Sequence, residues 1–208
     1  MAHDRRTRSA NTQRELPVGA GATAFSAKAW RNVLATGVAS AALFAYGGRP
    51  VRAAPPPGCT SDLSGTIVTC SGDQSGGVSL PNGGGTYTTL NVNNLTTDIA
   101  PAAGTTGIEF TSNGAVELNA NPGPFAIFAT DANGIFASSN SSTVTINSTG
   151  DIVTTGGSAT GIQGSVQDAL LTITSSGDVA TSGNNAFGIA AGTVYGDASV
   201  TSTGNIST

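Results

Sequence analysis

Residues 134–160 read GIFASSNSSTVTINSTGDIVTTGGSAT, and residues 161–187 read GIQGSVQDALLTITSSGDVATSGNNAF. Laid over one another, the blocks share a Gly-Ile start, an alternating apolar stretch near the middle and a Gly-Asp turn after it. The Gly-Ile pair recurs outward at a constant step of 27 residues: Gly107-Ile108, Gly134-Ile135, Gly161-Ile162 and Gly188-Ile189. A second glycine series, Gly123, Gly150, Gly177 and Gly204, keeps the same step. So does an apolar series: Val144 and Ile146, Leu171 and Ile173, Ala198 and Val200. A flexible Gly/Ser tract has no reason to hold an apolar phase. A fixed period of this size marks a solenoid, a propeller or an array.

Each period reads as three short strands, centred on Ala159–Gln163, Leu171–Thr174 and Asp178–Thr181. In the middle strand the apolar residues alternate with Thr145, Thr172 and Ser199, the period-2 mark of a strand with one wet face. Clusters of Gly, Ser, Asn and Asp between strands supply the turns. Three strands of equal spacing per period predict an all-β fold, a right-handed parallel β-helix with 27-residue rungs over 101–208. Each rung adds about 4.8 Å to the axis. A lone rung buries roughly five aliphatic side chains worth about 1.5–3 kcal/mol each. Ordering its backbone opposes this by about 1–2 kcal/mol per residue. Stacking is therefore obligatory. Gly107, Gly134, Gly161 and Gly188 are expected to supply tight turns with positive φ.

The first 53 residues have a different composition. All eight Lys and Arg lie between Arg5 and Arg52, and the only His (His3) and the only Trp (Trp30) also fall within these 53 residues. A basic region of about thirty residues precedes an apolar run, Val33 to Tyr46, too short for the roughly 20 residues a spanning helix needs. Val51-Arg52-Ala53 then offers small residues to a signal peptidase. Residues 1–53 read as a secretory signal peptide cut between Ala53 and Ala54, with an uncleaved anchor as the alternative.

Residues 54–208 contain no Lys, Arg or His, and all the acids except Asp4 and Glu15. So acidic a surface repels phosphate backbones, which argues against a nucleic-acid partner. The missing His removes a Ser-His-Asp triad and His-based metal ligation. Residues 54–100 read as a Pro-rich linker and an N-terminal cap with one irregular rung. Cys59 and Cys70, eleven positions apart in an exported chain, argue for a disulfide. The alternative is a pair of free or redox-active thiols, for which Cys-x-x-Cys spacing is absent. The segment Asn119–Pro124 adds a residue against later rungs and is expected to be a loop or bulge.

Candidate chemistry is sparse. Asp151 and Asp178 share one rung position, followed by Asn205, and stacked carboxylates about 5 Å apart could share a proton or hold Ca²⁺. The competing and preferred reading is a turn residue that caps backbone amides. Glycoside hydrolysis needs a carboxylate pair, for which Glu109 with Glu117, or Asp168 with Asp197, are available. Phe110, Phe125, Phe128, Phe136 and Phe187 read as stacked core residues rather than a sugar platform. Asn147, Thr174 and Thr201 read as structural ladders rather than an ice- or glycan-binding array. No catalytic residue, metal or cofactor is expected.

The long basic leader, the cysteine-bracketed start, Asn91-Val-Asn-Asn-Leu-Thr-Thr-Asp-Ile99 and the iterated Gly-Ile and Gly-Asp-Ile/Val rungs resemble a Gram-negative autotransporter passenger of the pertactin-like or pectin-lyase-like kind. The resemblance implies a surface or secreted stalk or adhesin without enzymatic activity. It implies a host or bacterial surface glycan or protein as partner, and a C-terminal outer-membrane β-barrel for export. No barrel pattern lies within the 208 residues and the repeat runs unchanged to Thr208, so the chain is expected to be an N-terminal part of a longer β-helix. Two other classes compete. One is a polysaccharide-active β-helix enzyme, although lyases of similar fold use an Arg or Lys base that residues 54–208 lack. The other is a secreted ice or matrix binder, which a flat, regular Thr face would favour.

Overall fold

The computed structural model describes residues 54–81 and 87–208; the signal-peptide reading, with its cut after Ala53, lies outside the described residues apart from Ala54. A hairpin opens the fold, β1 (Cys59–Ser61) and β2 (Ile67–Gly72), followed by β3 (Val78–Leu80), β4 (Thr89–Leu95) and β5 (Ile108–Ser112). Regular rungs follow: β6 (Val116–Asn121), β7 (Ile127–Thr130) and β8 (Ile135–Ser139), then β9 (Val144–Ser148), β10 (Ile152–Thr155) and β11 (Thr160–Val166). The last are β12 (Leu171–Ser175), β13 (Val179–Ser182), β14 (Phe187–Thr193), β15 (Ala198–Ser202) and β16 (Ile206–Ser207).

They form three sheets, ordered β1-β2-β4-β6-β9-β12-β15, β7-β10-β13-β16 and β3-β5-β8-β11-β14. Every pairing among them is parallel except β1 with β2. The chain is a parallel β-solenoid of about 5 turns. Its rungs take about 27 residues, as the repeat predicts.

Like residues stack on like because strand partners lie one period apart. Ile108, Ile135, Ile162 and Ile189 are in register on one sheet. Val144, Leu171 and Ala198 are in register on another. Alternation sends Val144, Ile146, Leu171, Ile173, Ile152 and Ile162 into the interior, where each is fully buried. Ser148, Ser175, Thr154 and Thr181 occupy inward positions as well and are also buried. The same alternation corrects the aromatic expectation. Phe110 is a core residue and Phe125 packs against the core, but Phe128 and Phe187 are exposed. Phe128 follows inward Ile127 and must point outward; Phe136, beside inward Ile135, is only half-buried.

The Gly-Ile glycines do not have the conformation expected of them. Positive φ occurs at neither Gly107, Gly134, Gly161 nor Gly188. They are glycine because of close approach. A Cβ on Gly134 would lie 2.7 Å from the carbonyl oxygen of Gly161, and one on Gly107 would lie 2.6 Å from that of Gly134. On Gly161 and Gly188 it would strike Val179 and Ile206 side chains. The left-handed corner sits elsewhere, at Asp131 (φ 55), Gly156 (φ 109) and Gly183 (φ 138). These three follow the aligned strand ends Thr130, Thr155 and Ser182.

Gly123 also leaves its series. A Cβ on Gly177 would meet the Gly150 carbonyl and one on Gly204 the Gly177 carbonyl, so Gly150, Gly177 and Gly204 form a true stack. A Cβ on Gly150 would meet Pro122, while Gly123 faces open space with φ +75. Its spacing is a coincidence of compensating corner lengths. Val116 pairs with Val144, a step of 28, and Ile127 with Ile152, a step of 25. The expected bulge at Asn119–Pro124 is correspondingly displaced. Asn119 pairs in unbroken register with Asn147, and the extra residues fall in the corner after Asn121.

Strands of the 54–100 segment already belong to the solenoid. β2 and β4 lie in the first sheet and β3 in the third, with Ile67 paired to Thr89 and Val78 to Ile108. The cap itself is β1, laid antiparallel on β2 with Cys59 directly opposite Cys70, and these two form a disulfide. At the other end β15 and β16 each pair on one side only, and Val200 and Ile206 stay about half exposed.

Asp62 fastens the β1–β2 turn. Ser64 donates its hydroxyl to the carboxylate, and the Thr66 and Ile67 amides donate to Oδ1 at 2.8 and 3.0 Å. These donors, Ser64 foremost, lower the Asp62 pKa to about 2. A depressed carboxylate pKa stabilises the fold above the unfolded value and loses that contribution as pH falls through the folded one. Amide exchange at Thr66 and Ile67, corrected for intrinsic rate, is therefore expected to accelerate as pH drops from about 4 to about 2. Asp62→Asn should remove that dependence. A pH-independent protection in the native chain would disprove the assignment.

Candidate functional site

The first sheet is the longest of the three, and its outward face carries regular columns of polar side chains. Two columns of side chains run along it. One is Thr89, Glu117, Thr145, Thr172 and Ser199; the other is Asn91, Asn119, Asn147, Thr174 and Thr201. The asparagines form a ladder: Asn119 Nδ2 donates to Asn91 Oδ1 at 3.0 Å, and Asn147 Nδ2 donates to Asn119 Oδ1 at 2.9 Å. Beside it Thr149 donates to Asn121 Oδ1 at 2.9 Å. Amide ladders of this kind recur where identical side chains stack on adjacent strands. Each bond fixes a rotamer, so the face is set before any partner arrives.

Glu117 interrupts the hydroxyl column. Asn119 Nδ2 donates to its Oε1 at 3.2 Å and Thr89 Oγ1 to its Oε2 at 3.4 Å. Along the edge of this face runs an open groove of about 480 Å³ over three rungs, lined by Thr89, Glu117, Thr143 and Thr145 with Ala115 and Val116.

The carboxylates singled out by sequence are not gathered into a pair. Glu109 lies on β5 in the third sheet, where Ser79 donates to its Oε2 at 3.0 Å, whereas Glu117 lies on β6 in the first. Register places Asp197 beside Leu170, not Asp168, because Leu171 pairs with Ala198. Asp151 and Asp178 do stack, and they act as caps. Asp151 Oδ1 accepts the Asp178 amide at 2.9 Å, and Asp178 Oδ1 accepts the Asn205 amide at 2.8 Å. The capped amide belongs to the next rung rather than to the residue's own turn. Asp98 does the same for Ala126 at 2.9 Å. No group of three His, Cys, Asp or Glu side chains is placed to share a metal ion among the described residues.

No family model, curated protein or solved structure matches this chain. What it does must be argued from its own surface.

The constant 27-residue step conceals that surface. It aligns Glu117 with Val144, an inward residue, whereas the true partner is Thr145, 28 positions on. Asn91, Asn119 and Asn147 likewise sit 28 apart. The usable signal was the repeated Asn itself, spaced one residue off the dominant period.

Proposed function

We propose that this chain is a non-enzymatic, exported β-helix of the autotransporter-passenger kind, an acidic rod that presents its sheet faces to a surface glycan or protein. The observation that carries this reading is the distribution of functional groups. The longest sheet face is an array of Thr, Asn and Ser, interrupted by Glu117 and held in its earlier rungs by an Asn ladder, while the other acids are dispersed over separate faces and corners. A hydrolase of the two-carboxylate kind needs its acids about 5–10 Å apart around one substrate. The Cys59–Cys70 disulfide fits an oxidising compartment and hence export. On this reading a Gram-negative cell surface is the destination and a membrane-embedded β-barrel the means of reaching it.

Ice binding is the weaker alternative. A regular hydroxyl array is limited to Thr172, Thr174, Ser199 and Thr201, because Glu117 and the Asn ladder occupy the earlier rungs.

The test is a turnover screen of the purified chain against polygalacturonate, alginate and bacterial surface glycans. No product above background is expected. Activity that disappears on replacing a single Asp or Glu would overturn the reading and favour a polysaccharide-active enzyme.

A further inference from the structure

We propose that the groove along the first sheet is a docking site for a basic, extended peptide, which seats a Lys or Arg side chain on Glu117. A carboxylate offers about four lone-pair positions. The protein supplies Glu117 with two donors, Asn119 Nδ2 at 3.2 Å and Thr89 Oγ1 at 3.4 Å, and so leaves acceptor capacity facing the groove. Nothing in residues 54–208 can neutralise it, since that segment has no Lys, Arg or His. A cation seated on it therefore comes from outside that segment. Charge complementarity of this kind steers encounter and fixes register more than it adds affinity.

The walls of the groove match the rest of such a side chain. Ala115, exposed beside the carboxylate, offers a small apolar contact to the methylene stem of Lys or Arg, whereas the side chain of Val116 is turned into the core. Thr89 and Thr145 flank Glu117 in the same column, and their hydroxyl oxygens can take the N–H groups that the carboxylate does not. The volume of about 480 Å³ over three rungs admits neighbouring residues of an extended chain as well. No aromatic side chain lines the groove, so the stacking platform on which a sugar ring would rest is missing. That absence, with the single negative charge, selects a basic peptide over a saccharide. Glu117 and its neighbours are also held in place by the Asn ladder, so binding orders few groups.

The inference deepens the non-enzymatic reading and rests on it. The experiment titrates tetralysine amide into the purified chain at low ionic strength, with chemical-shift mapping and calorimetry. Binding is expected to localise to Thr89, Glu117 and Thr145. Glu117→Gln should weaken it about threefold, the size of one partly exposed ion pair. Glu109→Gln, on a different sheet, should leave it unchanged. Both variants replace the carboxylate by an amide of the same shape, and unaltered thermal melts would show that the fold is intact. Three results overturn the proposal: no binding, equal weakening by both variants, or a glucosamine tetramer that binds more tightly with the same dependence on Glu117. Cleavage or modification of the peptide would instead overturn the non-enzymatic reading, so the two failures are distinguishable.

Discussion

Replacing Gly177 with alanine is expected to destabilise the solenoid by about 2–3 kcal/mol, the upper range for forcing extra volume into a packed site. A Cβ there would meet the carbonyl of Gly150, with the amide of Asp151 at 3.0 Å. Both are backbone of the rung below and cannot rotate away as a side-chain tip could. Relief requires the corner to lift. That movement draws the Asp178 amide off the Asp151 carboxylate, which accepts it at 2.9 Å, and so breaks the bond between the two rungs. For a chain of this length the loss corresponds to a fall in Tm of roughly 5–10 °C. Gly157→Ala is the matched control. Gly157 is exposed, has nothing within 4 Å of the added Cβ and does not have positive φ. Its replacement is expected to be neutral or to stabilise by about 0.4–1 kcal/mol through the unfolded chain. Urea unfolding of the two variants side by side decides the matter. Equal midpoints would show that the glycine stack is not a packing constraint.

Opening the Cys59–Cys70 bond is the second large effect. The bond closes a short loop, sequence separation 11, and the chain-entropy model gives such a closure about 3 kcal/mol. The consequence is local and specific. β1 is held to the solenoid by its pairing with β2 and by this bond, and it covers the first edge of the longest sheet. Without the bond β1 detaches and β2 becomes a free edge, a template for pairing with another chain. Reduction, or Cys59→Ser with Cys70→Ala, should therefore lower the unfolding midpoint and produce oligomers on size-exclusion chromatography. Faster hydrogen exchange is expected in β2 and β4, with little change in β11 and β12. Rungs interact with nearest neighbours only, so the damage should decay along the axis. Identical midpoints and a monomer in both redox states would refute this role for the cap.

Much of the architecture was legible because a β-solenoid writes its period into the chain. Each rung repeats the same environment, so Ile108, Ile135, Ile162 and Ile189 recur as one residue type at one step. Period-2 alternation told inward Leu171 and Ile173 from outward Thr172. It would have placed Phe128 and Phe136 outward too, had their aromatic character not been allowed to override it. The disulfide was legible because Cys59 and Cys70 are the only two thiols of the chain and lie eleven positions apart.

Three things were decided only by the stacked rungs. The first is why the repeat glycines are glycine. Sequence records that glycine recurs at Gly107, Gly134, Gly161 and Gly188, but not whether the cause is φ or crowding, and the crowding comes from residues of the neighbouring rungs. The second is register at the irregular rung. Corner lengths that cancel over a full turn keep the Gly-Ile step at 27 while shifting β6 and β7, and this made Gly123 look like a member of a stack it does not join. The third is the candidate site. Glu117, the Asn ladder and the groove beside them come from three rungs about 28 residues apart, and the two candidate carboxylate pairs were parted by a corner or by two residues of register. Sequence by itself determined the repeating unit, because the unit is a local pattern under the same burial in every rung. The tertiary structure decided which side chains meet, because contact along a solenoid axis depends on the summed length of every intervening corner, and a single residue gained in one corner moves each column that follows it.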